Sequence, residues 1–234
     1  MIEKKLKTTK GKLKIKVPTN LAEITLGQMM DFQENPLLND IGAISILSGI
    51  ALDELQNVSN VAHFQVFAAP VLALSNQIKD LYNSDAVPKK IIFKMPGDKD
   101  IEVNVISNLS VEPAGAFMAV RDIIAEEING HVEQYGEEGW KEHFNPSLKA
   151  CCQVLAHYFF CKATGKKYHE YEAEEFCNEI KKLRVTEALP IAKHFFTCYP
   201  SLLKPKTGYW HRLLQRLKNG LVYKPSKSLN ISTP

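Results

Sequence analysis

Two β-rich runs, Lys90-Ile91-Ile92-Phe93-Lys94-Met95 and Ile101-Glu102-Val103-Asn104-Val105, flank the turn Pro96-Gly97-Asp98-Lys99-Asp100. Two β-rich runs flanking a Pro/Gly/Asp cluster specify a β-hairpin. This feature constrains the chain most, because nearly everything around it carries helical spacing. A hairpin set among helices predicts a mainly α (α+β) fold: a helical body with a small β element.

Before the hairpin, Gly11-Lys12-Leu13-Lys14-Ile15-Lys16-Val17 alternates basic and apolar residues up to Pro18 and reads as a half-buried strand. Thr25 and Gln28 form a capping-box pair that opens a short helix through Gln33, ended by Asn35-Pro36. Asn39 or Asp40 caps a second helix carrying Ile41, Ile44, Ile46 and Leu47, which stops near Gly49. A turn-helix over Leu52–Gln56 precedes a long helix from Ser59 or Asn60 to Tyr82, kinked or broken at Pro70.

Past the hairpin, Ser110 and Glu112-Pro113 open a helix expected to end at Asn129-Gly130. The polar stretch from His131 to Asn145 reads as a loop or short helix. Helices are expected over Leu148–Ala163, Glu170–Leu183 and Glu187–Tyr199, then a basic amphipathic helix over Tyr209–Lys218 and a polar tail. The order of elements echoes itself. Ile15-Lys16-Val17 with Asn20-Leu21 and Gly27 precedes Val103-Asn104-Val105 with Asn108-Leu109 and Gly115 by 88 positions. Two tandem strand-helix-helix units are the expectation. The expected organisation is a basic N-terminal arm (1–16), a first helical unit (17–88), the hairpin with a second helical unit (89–200), and a basic C-terminal helix and tail (201–234).

The formal net charge of +3 conceals a segregation. Residues 1–16 hold seven lysines and one glutamate, and residues 193–234 hold eight Lys/Arg and no acid, leaving −11 for residues 17–192. Basic ends on an acidic body suit nucleic acid, the acidic surface of a neighbouring copy, or a role only as solvated tails. The candidate contact residues are Lys4, Lys5, Lys7, Lys10, Lys12, Lys14 and Lys16 at one end, and Trp210, Arg212, Leu213, Arg216 and Leu217 at the other. Lysines attract phosphate without reading sequence. Tyr209 and Trp210 are able to stack on bases. The stripe Trp210, Leu213, Leu214, Leu217 fits docking onto a core or partner better.

Catalytic signatures are not found. The sequence carries no Gly-rich phosphate loop, no HExxH and no CxxC. Cys151, Cys152, His157 and Cys161 share one strongly apolar stretch, where cysteine packs as a small apolar residue before it serves as a metal ligand. The run Tyr168-His169-Glu170-Tyr171-Glu172-Ala173-Glu174-Glu175 places acids at a helix start, where the helix dipole favours them. A non-enzymatic protein without cofactor or metal is the expectation. No secretory signal is expected from the lysine-rich start, and no stretch is apolar and long enough to suggest a bilayer span. Five cysteines without a disulfide-like framework suit reduced thiols in a cytoplasmic setting.

At Ile24-Thr25-Leu26-Gly27-Gln28, Leu47-Ser48-Gly49-Ile50 and Leu109 to Arg121 the chain resembles a family of uncharacterised proteins. These are encoded among the structural and assembly genes of Bacteroidetes-infecting tailed phages, including crAss-like phages. The resemblance extends over roughly residues 12 to 200, with Tyr168 and Tyr171 as a Tyr-x-x-Tyr element and Val185 to Phe196 as a closing helix. The chain departs from the family at Ala114, Gly115 and Ala116 and at the Cys151-Cys152 pair. The resemblance implies a tail or virion component, or a chaperone of tail assembly, in the virion or the host cytoplasm. It carries over no catalytic residue. Its partners would be other phage structural or assembly proteins or further copies of the chain, and no membrane; a DNA-associated, packaged or regulatory phage protein is the alternative.

Overall fold

In the computed structural model, residues 1–9, 11–35, 38–78, 86–95, 99–105 and 112–198 are described. The chain divides into a unit spanning Met1–Tyr199 and a second spanning Pro200–Pro234. The expected basic helix and tail of the C-terminal segment, with Trp210, Arg212, Leu213, Arg216 and Leu217, lie outside the described residues. So do Lys10, the hairpin turn at 96–98, Ser110 and the expected helix end at Tyr82. The fold is mainly α with two small antiparallel sheets, as the sequence predicts.

The N-terminus requires a correction. Residues 1–16 are not an extended arm: β1 (Ile2–Thr8) folds back on β2 (Gly11–Val17) as an antiparallel hairpin. Leu6, Ile15 and Val17 are buried, so burial of these apolar side chains holds the segment down. The turn passes through Gly11 at φ 139°, a conformation that favours glycine. Near the tip, the Ser59 N–H donates to the Lys7 carbonyl (3.0 Å) and the Thr9 N–H to the Asn57 carbonyl (3.1 Å).

Helix α1 (Leu26–Glu34) starts at the expected capping box: the Gln28 N–H donates to Thr25 Oγ1 and the Thr25 N–H to Gln28 Oε1. The Gln28 amide nitrogen then donates to the carbonyls of Ile46 and Leu47, both at 3.0 Å. It thereby satisfies the end of α2 (Asp40–Ser48), which Asn39 caps and left-handed Gly49 terminates. After α3 (Leu52–Gln56), a 3₁₀ turn over Val61–Phe64 leads into α4 (Gln65–Ile78). Pro70 lies inside α4 without ending it.

The second hairpin pairs β3 (Lys90–Met95) with β4 (Lys99–Asn104), Phe93 opposite Ile101. Helix α5 (Ala114–Gly139) does not stop at Gly130; it runs on to a kink at Gly136 (φ 76°, ψ 167°). Helix α6 (Leu148–Thr164) is capped by Ser147 and closed by left-handed Gly165. The helix expected over Glu170–Leu183 is two short ones, α7 (Glu170–Glu175) and α8 (Cys177–Ile180), and α9 (Val185–Cys198) follows with Pro190 inside it.

Helix α6 is the centre of the first unit. It packs against α1, α5, α7, α8, α9 and β4. Val154, Leu155, Ala156, Tyr158 and Phe159 are fully buried, so the helix is covered all round. Phe93 of β3 meets Phe159 and Phe176 with ring centroids 5.5 and 5.4 Å apart.

The echo seen in the sequence recurs as an order of elements. Each half has a hairpin, a helix, a helix ended by a left-handed glycine (Gly49, Gly165), two short helical turns, and a 14-residue helix. Pro70 and Pro190 are each the sixth residue of that last helix. The halves are joined by backbone bonds. The Leu26 N–H donates to the Leu183 carbonyl (2.8 Å), the Gly27 N–H to Lys181 (2.9 Å) and the Val185 N–H to Ile24 (2.9 Å). The boundary expected at 88/89 therefore lies inside one compact unit. Among the described residues no helix is long and apolar enough to cross a membrane.

Candidate interaction surfaces

The register of the first hairpin sorts its lysines. Glu3 stands opposite Lys16, Lys5 opposite Lys14, and Lys7 opposite Lys12. Alternation along a strand puts these six residues on one face, and all six are exposed. The other face carries Leu6, Ile15 and Val17 into the core. Lys4, opposite Ile15, belongs to that second face yet remains exposed. Five of the seven predicted N-terminal lysines are thus gathered into one cross-strand array. Glu3 is the one acid in it, 2.8 Å from Lys14 Nζ and 3.5 Å from Lys16 Nζ. The hydrogen bond from Lys14 holds the Glu3 carboxyl below its usual range. Lys5, Lys7 and Lys12 make no ion pair among the described residues.

A second surface was not signalled by any motif. Helices α2 and α4, with the turn before α4, line an open groove of about 690 Å³ that includes Ile41, Ile44, Phe64, Phe67, Ala68 and Val71. Among the described residues Asp40 is the single charged one lining it, and Leu72, also in the lining, is 65% exposed. The apolar periodicity of each helix was legible; which apolar positions face the groove depends on how the two helices cross.

A third concavity, about 800 Å³, lies between the second hairpin and the segment Glu179–Glu187. Its charges are mixed: Lys90, Lys94, Lys182 and Arg184 face Glu102, Asp100, Glu179 and Glu187. Lys182 pairs with Glu179, and the Arg184 guanidinium donates to the Ala22 carbonyl at 2.6 Å. Lys90 pairs with Glu102 in the same way.

The residues weighed for metal or acid/base chemistry are placed as follows. Cys151 and Cys152 are buried on α6, and burial pushes the Cys151 thiol up, away from the reactive thiolate. The Cys152 thiol donates to the Cys177 carbonyl at 3.7 Å. His157 is buried too, its Nδ1 2.9 Å from the Tyr168 hydroxyl, and burial lowers its pKa. The Tyr168 hydroxyl is pushed up to about 12, chiefly by burial and then by Glu170. His169 stands at the start of α7 without a side-chain capping bond, and Glu172 beside it pairs with Lys166. Among the described residues no three His, Cys, Asp or Glu side chains are placed to share a metal ion.

Sequence reasoning missed one half-buried ion pair. Glu112, just before α5, pairs with Lys162 of α6. The Lys162 ammonium also lies 3.4 Å from the centroid of the Tyr158 ring. Burial lowers the Lys162 pKa, and Glu112 opposes that shift. Partners 50 residues apart leave no local signal. Comparison with known proteins finds no matching family model, no matching curated protein and no matching solved structure.

Proposed function

We propose that this chain is a non-enzymatic virion or tail-assembly protein of a tailed phage, acting through protein–protein contacts. The observation that carries the contact reading is the α2–α4 groove, an open apolar trough on an otherwise well-packed unit. A trough between two helices takes the apolar face of a third helix, in the helix-in-groove mode. Its occupant is an amphipathic helix of another assembly protein, with a cation placed beside Asp40, the only charge in the lining among the described residues. The phage context comes from the motifs at Ile24–Gln28, Leu47–Ile50 and Leu109–Arg121. The resemblance at those motifs implies a working location in the virion or the host cytoplasm. The contacts work without cofactor or metal.

Two measurements test the reading. Mass spectrometry of purified virions, with assembly intermediates alongside, should find the chain in one or both; absence from both sinks the assembly role. Ala68→Glu puts a carboxylate on the groove floor at an exposed helical position, where the fold tolerates it. It should abolish incorporation while leaving the melting temperature within a few degrees. Normal incorporation of a folded Ala68→Glu protein would exclude the groove as the contact.

A further inference from the structure

We propose that the exposed face of the β1–β2 hairpin is a nucleic-acid backbone-binding ribbon, with Lys5, Lys7, Lys12, Lys14 and Lys16 contacting phosphates. The inference goes beyond the protein-contact reading and rests on a different set of residues.

Three observations carry it. First, the array is fixed. The hairpin is pinned by buried Leu6, Ile15 and Val17 and by backbone bonds to Asn57 and Ser59, so its lysines are held in register, not spread along a free arm. Alternate residues on a strand lie roughly 6.8 Å apart, and cross-strand partners about 5 Å apart. That yields a two-row lattice of positive charge, and the DNA major groove is wide enough to admit a two-stranded ribbon.

Second, the charge is unbalanced where balance was available. Lys5 opposite Lys14 and Lys7 opposite Lys12 are like-charge cross-strand pairs, which weaken a hairpin. One glutamate serves five lysines, and it reaches only Lys14 and Lys16. A polyanion that binds the folded hairpin relieves this repulsion.

Third, the face has the wrong composition for a protein partner. Lysine is depleted in protein–protein interfaces, whose centres are built from aromatic, Met and Arg side chains. This face offers none of those and no apolar anchor. Its cations are all lysines, placed to attract phosphates, and phosphate contacts are independent of sequence and strongly salt-dependent.

The test uses the full chain and a fluorescent random-sequence DNA duplex of about 20 base pairs, titrated by anisotropy from low to moderate salt. The triple variant Lys5→Thr, Lys7→Thr, Lys12→Thr is compared with the parent. Because the C-terminal lysines and arginines are unchanged, any loss belongs to the hairpin. Losing three phosphate contacts should flatten the slope of log K against log salt by about 2.7. Affinity at 0.1 M salt should fall by about two to three decades. The melting temperature of the free protein should stay level or rise, since like-charge pairs are removed. If the triple variant does not fold, Lys12→Thr alone should flatten the slope by about 0.9. Lys5→Arg, Lys7→Arg, Lys12→Arg should keep the parent's slope. An unchanged slope and affinity in the threonine variants overturns the proposal, as does failure of the parent to bind duplex at low salt. Tighter hairpin-dependent binding to phosphatidylserine vesicles or to polyglutamate than to duplex also overturns it, assigning the face to membranes or acidic proteins.

Discussion

Gly27 sits where the first turn of α1 meets the segment before α9. A Cβ there would lie 3.1 Å from the Lys181 Cβ and 3.2 Å from its carbonyl oxygen. The backbone bonds that join the two halves depend on this approach. Gly27→Ala should therefore cost about 1–3 kcal/mol, read by urea denaturation. The glycine was visible in the sequence as part of Ile24–Gln28; the neighbour that requires it, 154 positions away, was not. His157 gives a second residue-scale prediction. Burial lowers its pKa, while Glu174 and Glu170 oppose the shift. A histidine that is harder to protonate folded than unfolded contributes stability that is complete above its ordinary pKa of 6.5 and is lost as pH falls below it. Thermal melts should decline from pH 7 to pH 5, and His157→Gln, which retains a partner for the Tyr168 hydroxyl, should flatten that decline.

Single elements were legible where capping or turn chemistry is local. The Thr25–Gln28 box, Asn39, Gly49 and Gly165 all act where their side chains or backbone freedom require. Helix α5 shows the limit. Asn129-Gly130 reads as a stop, yet the helix continues because its C-terminal stretch contributes to an aromatic cluster. Tyr135 stacks on His143 at 4.7 Å, His131 meets Phe144 at 4.9 Å, and Phe144 reaches Phe196 of α9 at 5.8 Å. Ring contacts of this kind, worth about 0.5–1.5 kcal/mol each, offset a glycine penalty of about 1 kcal/mol. The turn toward this cluster is made at Gly136, in a backbone region essentially reserved for glycine. Gly136→Ala should destabilise the chain by about 1–3 kcal/mol, measured by chemical denaturation. An unchanged midpoint would mean the kink carries no load.

At the scale of the whole unit, α6 organises the rest, and its amides should be the slowest to exchange in native-state hydrogen exchange. Faster exchange in α6 than in α4 would contradict that hierarchy. The sequence by itself determined the α+β class, the second hairpin, most helix starts and the segregation of charge, because periodicity, caps and composition act over a few residues. Tertiary structure decided the rest. It turned the expected N-terminal arm into a pinned hairpin, because Leu6, Ile15 and Val17 have a core to enter. It chose the lysines that share a face, because register is set by pairing and not by composition. It also opened the α2–α4 groove and brought Lys162 against Glu112 and Tyr158, since which distant side chains meet depends on how helices cross.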